Sequence, residues 1–194
     1  MNKLKEKIIS DGKVFEGDVL KVDSFLNHQI DTELLKWIGE EFRRRFDGFK
    51  IDKILTIEAS GIAIASSVAL CFGVPLLFAK KSESVNVTGN KFFSKVYSFT
   101  HKCWNTIYVS AEYLSKGEKV LIVDDFLASG SAIEGLVDLV SQADAEVAGI
   151  GICIEKSFQD GGMKIRTRGY KLESLAIIES MDNRTQEITF SEPN

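Results

Sequence analysis

The segment from Val120 to Ala132 constrains the fold more than any other part of the chain. Val120 to Val123 is an apolar run with the length and β-branched content of a strand buried on both faces. Asp124 and Asp125 arrive at its C-terminal end, where open α/β sheets place their ligands. Ala128 to Ala132 then reads Ala-Ser-Gly-Ser-Ala, and Ile133 to Val140 continues with a helical pattern. A small, hydroxyl-rich turn at a helix start offers unpaired backbone N–H groups and the positive end of a dipole, both suited to phosphate. Adjacent carboxylates at a buried strand end repel each other and are costly without a cation or hydroxyl partner. The combination describes a receptor for a phosphorylated sugar, as against a strand–turn–helix that is acidic and small by coincidence.

Two better-known phosphate loops do not fit. No Lys follows Gly130, as the ATP-type loop requires, and the dinucleotide pattern G-x-G-x-x-G is absent from the turn. The segment instead resembles the motif of the type I phosphoribosyltransferases that binds 5-phosphoribosyl 1-pyrophosphate (PRPP). That resemblance implies that Asp124 and Asp125 face the ribose 2′- and 3′-hydroxyls, while Ala128, Ser129, Gly130, Ser131 and Ala132 wrap the 5-phosphate.

Bulk properties agree with an acidic globular protein. At 194 residues and 44% hydrophobic, the chain suits one domain over 1–194 with a full core. A net charge of −4 argues against nucleic-acid or membrane-surface partners. No apolar run reaches membrane-spanning length, and the start lacks the apolar region of a signal peptide. Cys71, Cys103 and Cys153 are odd in number and far apart, each in an apolar setting, so they read as reduced thiols of a cytoplasmic protein. His28 and His101 carry no metal-ligand spacing, so no metal site made of protein side chains is expected.

Strand and helix patterns alternate along the chain. Leu34, Leu35, Ile38, Phe42 and Phe46 share one face of a helix that Asp31 can cap, with Arg43 to Arg45 on its solvated side. Strands are expected at 53–57, 74–79, 106–110, 119–123, 145–154 and 175–179, with a polar, uninformative tail from Met181. This alternation predicts an α/β fold, a mainly parallel twisted sheet with helices on both faces. Residues 82–105 break the pattern and read as a mobile hairpin over the site, in keeping with the flexible hood that the family carries there.

A second small turn, Glu58-Ala59-Ser60-Gly61, again joins a strand to a helix start. By itself it is an ordinary turn. By resemblance it is the loop that holds the diphosphate, a position where some family members carry a cis peptide. Lys81 reads either as a solvated strand end or as a point charge for the diphosphate. Lys156 and Phe158 lie two apart at the end of a strand, a spacing that sends both to one face. A cation donating to a keto oxygen and a ring stacking on a heterocycle make a platform for a 6-oxopurine; adenine would oppose its 6-amino donor to the lysine. The family resemblance assigns Lys156 and Phe158 those roles.

The segment from Asp18 to Asp31 resembles the xanthine-using bacterial members of the family, in which it closes the base pocket (here about 1–48). Leu20 would contact the purine, and Asn27 would bond its 2-oxo side or ring nitrogens. The resemblance covers essentially the whole chain. It implies transfer of the phosphoribosyl group of PRPP to xanthine, with Mg²⁺ carried by PRPP, in a cytoplasmic homodimer. Two alternatives remain at this stage: a hypoxanthine–guanine transferase on the same scaffold, and a PRPP-sensing transcription regulator. The regulators carry an added DNA-binding helical domain, and no basic recognition helix precedes the first expected strand.

Overall fold

The computed structural model describes residues 1–81, 89–98 and 103–191. Its centre is a six-stranded sheet of β3 (Lys53–Ile57), β4 (Leu76–Ala79), β7 (Lys119–Leu127), β8 (Glu146–Lys156), β9 (Leu172–Met181) and β10 (Ile188–Ser191). The spatial order is β10-β9-β8-β7-β3-β4. All pairings are parallel except β10 on β9. The remaining strands and α-helices in chain order are α1 (Lys3–Asp11), β1 (Lys13–Phe15), β2 (Val19–Lys21), α2 (Thr32–Arg45), α3 (Gly61–Phe72), β5 (Lys91–Ser98), β6 (Cys103–Ser110), α4 (Ser131–Gln142) and α5 (Gly161–Thr167).

Two apolar layers sandwich the sheet, and the pleat of β7 divides its side chains between them. Leu121 and Val123 pack with α1, α2 and α3, whereas Val120 and Ile122 pack with α4, α5 and the β5–β6 hairpin. On the first side α2 lies directly on β8. A Cβ at Gly149 would sit 2.4 Å from the Phe46 ring, and one at Gly151 would sit 2.8 Å from Phe42. The expected cap is present, with Leu34 N–H donating to the Asp31 carboxylate at 3.0 Å. Arg45 departs from the expected solvated face: its side chain is 15% exposed and ties α2 to β9 through Glu173 and the Ser174 carbonyl. Hydrogen bonds from Arg44 and Arg45 hold Glu41 down to about 2.

Several expected boundaries move. β7 runs four residues past Val123, to Leu127, because β8 stays paired alongside it as far as Leu127–Glu155. Residues 106–110 were expected as a buried strand of the main series; they are the second half of β6, which pairs antiparallel with β5 and touches the sheet through a Lys80–Tyr108 bridge. The described part of this hairpin is docked on α4, where a Cβ at Gly135 would lie 2.3 Å from Val96. Residues 82–88 and 99–102 of the expected hood, with His101, lie outside the described residues. The supposedly uninformative tail contains β10, and the N-terminal segment contains α1 and the β1–β2 pair. Gln186 completes that pair by exchanging two hydrogen bonds of 2.9 Å with the Val14 backbone. Cys153 is buried, but Cys103 is exposed on the hairpin and not in an apolar setting.

Phe42 is fully buried against β8. Phe42→Ala should therefore cost about 3–5 kcal/mol in urea unfolding. A loss below about 1 kcal/mol would mean that the ring is not held between α2 and the sheet.

Candidate active site

At the C-terminal edge of the sheet, β3, β7 and the hairpin enclose a cleft of about 340 Å³. Glu58, Ser60, Lys81, Tyr97, Asn105 and the run from Asp124 to Ile133 line it. The cleft thus brings together both small turns, both carboxylates and the lysine singled out in the sequence. Ala59 follows a cis Glu58–Ala59 peptide and is exposed, while Gly61 is buried at the start of α3.

Two helices begin at this cleft, and neither spends a side chain on capping. Ser60 precedes α3 and Gly130 precedes α4, each without a side-chain cap bond, whereas Asn2 and Asp31 cap α1 and α2. Ile62 N–H in the first turn of α3 donates to the Ala59 carbonyl at 3.2 Å; the other first-turn N–H groups of α3 and α4 lack intrahelical partners by construction and leave a positive partial charge at the cleft. Gly130 reaches its turn with φ +88°, in the left-handed region. Gly61 is needed for space: a Cβ there would lie 2.2 Å from Thr56 Oγ1 and 2.9 Å from Asp124 Oδ1.

The paired carboxylates are in the last part of β7, not beyond it, and are 4% and 8% exposed. Asp124 Oδ1 accepts the Asp125 N–H at 3.0 Å, and Asp125 Oδ1 accepts the Phe126 N–H at 3.0 Å. Burial, and then the neighbouring Asp125 charge, push Asp124 well above the usual carboxylate range, while Lys81 acts in the opposite direction. Glu58 anchors the first turn to the end of β4 by accepting the Lys81 N–H at 2.6 Å.

The residues expected at a base pocket lie beside the cleft. Asn27 ends a single π-turn over Asp23–Asn27, and its amide donates to Asp125 Oδ2 at 3.3 Å. Lys156 donates to the Asp18 carbonyl at 2.6 Å, and its Nζ lies 5.6 Å from the centre of the Phe126 ring. Burial lowers the Lys156 pKa. β8 stops at Lys156, so Phe158 follows in a turn, 40% exposed, and strand alternation does not relate the two. Leu20 is 6% exposed within the apolar core beside α1. Sequence reasoning missed Tyr97, whose N–H donates to Ser131 Oγ at 2.7 Å, as well as Asn105, Phe126 and the buried Thr56 hydroxyl beneath Gly61. An aromatic-rich hairpin following the lysine was the available signal for Tyr97 and Asn105.

This arrangement can hold an anion at each helix start and hydroxyl groups at the carboxylates between them. Residues 22–185 match the phosphoribosyl transferase domain, and the chain belongs to that family of pentosyl-transferring enzymes. It is 55% identical over 184 residues to xanthine phosphoribosyltransferase 1 of Clostridium perfringens, covering 94% of this chain and 97% of the relative. It is also 55% identical over 190 residues to the xanthine phosphoribosyltransferase of Lachnoclostridium phytofermentans, covering 98% of each. Among solved structures, adenine phosphoribosyltransferase from Giardia lamblia shares the fold, with a TM-score of 0.76 at 18% identity over 91% of this chain and 98% of that one.

The raised Asp124 has a consequence for stability. A carboxyl that binds its proton more tightly when folded stabilises the fold below the ordinary carboxylate range, and that contribution is lost as pH rises through the folded value. Asp124→Asn should therefore raise the Tm of the ligand-free protein at pH 7, by about 2–4 °C for each kcal/mol recovered. The gain should shrink toward zero near about pH 4, where the parent carboxyl is protonated. An equal gain at both pH values, or a loss at pH 7, would count against a destabilising Asp124 charge.

Proposed function

We propose that this chain transfers the 5-phosphoribosyl group of PRPP to N9 of xanthine, giving XMP and pyrophosphate. The observation that carries the reading is the cleft itself: two uncapped helix starts flank a pair of carboxylates, on a chain 55% identical over nearly its full length to curated xanthine phosphoribosyltransferases.

Ala128 to Ala132 hold the 5-phosphate with the N–H groups at the start of α4. Glu58 to Gly61, with Lys81, receive the diphosphate at the start of α3. Asp124 and Asp125 accept hydrogen bonds from the ribose 2′- and 3′-hydroxyls. The purine N9 displaces pyrophosphate at the anomeric carbon with inversion, through an oxocarbenium-like state. Positive charge developing on the ring is stabilised by the carboxylates, and the helix starts hold the departing anion. The hairpin bearing Tyr97 and Asn105 limits the access of water, which would compete with the purine as nucleophile.

Mg²⁺ is proposed as a companion of PRPP. Among the described residues no group of three His, Cys, Asp or Glu side chains is clustered to hold a metal alone. Two crowded carboxylates, with the ionisation of Asp124 opposed by burial, nonetheless fit a cation delivered with the substrate. When bound, that ion would offset the charge of the leaving diphosphate. Asp124, Asp125 and Glu58 are the residues that would meet it.

Lys156 donates to the 6-oxo group, Asn27 offers its amide to the 2-oxo side, and Phe158 supplies a ring for stacking. Leu20 serves from the core as the apolar backing of the segment that closes over the base. We further propose a homodimer formed on the β4 edge, where Leu76, Leu77, Phe78, Val109 and Tyr113 line an apolar cavity of about 240 Å³. The cytoplasm suits its three unpaired cysteines. Among the described residues no helix is long and apolar enough to cross a membrane.

Initial rates with PRPP and Mg²⁺ on xanthine, guanine, hypoxanthine and adenine test the reading. Xanthine should give the highest kcat/KM, with adenine lower by on the order of 10⁴-fold because the lysine would face a second donor. A preference for guanine or hypoxanthine would reject the roles given to Asn27 and Leu20. No turnover on any base would reject the transferase. Asp125→Asn should lower kcat/KM about 10²–10³-fold without loss of the folded state, as judged by circular dichroism; near-parent efficiency would remove Asp125 from the reaction.

A further inference from the structure

The start of α5 meets the loop after β7 with no side chain between them. Gly161 N–H donates to the Ala128 carbonyl at 3.0 Å. A Cβ on Gly161 would lie 2.3 Å from that oxygen, 2.7 Å from the Gly130 nitrogen and 2.8 Å from the Ser129 carbonyl carbon. From the other side, a Cβ on Gly130 would lie 3.2 Å from Gly161 Cα. Backbone therefore rests on backbone, and the loop can neither retreat toward α5 nor accept a substituent there.

α5 is itself pinned from behind. Arg166 grips Glu155 with two parallel bonds, Nη1 to Oε1 at 2.6 Å and Nη2 to Oε2 at 2.8 Å. Ser174 on β9 donates to the same carboxylate at 2.5 Å. Glu155 is 2% exposed, and a Cβ on Gly162 would fall 1.9 Å from its Oε1, so the first turn of α5 is seated directly on the carboxylate. None of Glu155, Gly161 and Arg166 lines the cleft. The Arg166 side chain is 42% exposed, but its two parallel bonds end on a buried carboxylate, and a two-pronged grip of this kind adds geometric specificity as well as energy. The geometry fixed here is that of α5 against Ala128–Gly130.

We infer that Gly161 and the Glu155–Arg166 pair are positioning residues for the loop 128–132, bracing its backbone so that the N–H groups at the start of α4 are preset for the 5-phosphate. The inference rests on the phosphate role given to that loop under the proposed function. It also gives the two halves of the reaction a common support, because Glu155 directly precedes Lys156 on β8.

Gly161→Ala and Arg166→Met test the brace. Each is examined by steady-state kinetics, by inhibition with ribose 5-phosphate and with pyrophosphate, and by thermal unfolding. Gly161→Ala should raise the KM for PRPP about tenfold or more, while the KM for the purine stays within about threefold and the protein, though lower in Tm, remains folded at the assay temperature. Inhibition by ribose 5-phosphate should weaken in parallel, and inhibition by pyrophosphate should not. Arg166→Met should raise the KM for PRPP in the same direction, and Arg166→Lys should restore part of the loss, since Lys keeps the charge without the two-pronged grip. An unchanged KM for PRPP in both Gly161→Ala and Arg166→Met would overturn the brace. So would a parallel rise in both KM values accompanied by a large fall in Tm, which marks a purely structural role. If the parent protein neither uses PRPP nor is inhibited by ribose 5-phosphate, the proposed function fails before the brace is reached.

Discussion

Two carboxylates, adjacent in sequence and nearly excluded from water, set the conditions for everything at the open edge of the sheet. Asp124 and Asp125 lie in the last part of a strand whose other residues, Lys119 apart, are apolar. Each carboxylate takes one backbone N–H from the following residue, and Asp125 takes the Asn27 amide as well. These bonds satisfy only part of the acceptor capacity of two carboxyl groups. The remainder is left for whatever enters the cleft, and the fold supplies the burial that makes a hydroxyl-bearing or cationic visitor worthwhile.

The rest of the edge is built at backbone resolution. Three glycines govern how closely chain segments approach: Gly61 admits the start of α3 against Thr56 and Asp124, while Gly130 and Gly161 let the loop after β7 lie flat against α5. Contacts of this kind hold a loop without occupying the space in front of it. A side-chain cap would have secured either helix start equally well, but it would have consumed the N–H groups that give the cleft its positive field.

The sequence disclosed these features unevenly, and the reasons are physical. β3 and the face of α2 were legible because burial on two faces, or along one helical stripe, leaves a continuous record in residue type. Asp124 and Asp125 were legible because their location is expensive. The end of β7 was not, since its extension to Leu127 depends on β8 remaining alongside, and nothing local marks it. β10 was missed because Ile188 to Ser191 is stabilised by pairing to the edge of β9 and not by its own pattern. β1 and β2 are three residues each, too short for periodicity, and Gln186 holds them from 172 positions away. Tyr97 and Asn105 reach the cleft only because their hairpin docks on α4, at Gly135.

The proposed base pocket has the Lys156 ammonium on the Asp18 carbonyl and the Asn27 amide on Asp125 before any base arrives. Occupancy is then an exchange reaction: each polar bond to an incoming ring replaces one that the chain already makes to itself. Such a trade yields little net affinity, so discrimination comes mainly from the penalty on a ring that breaks these bonds and cannot replace them. The same trade runs in reverse after turnover, when re-forming the internal bonds helps to expel the product.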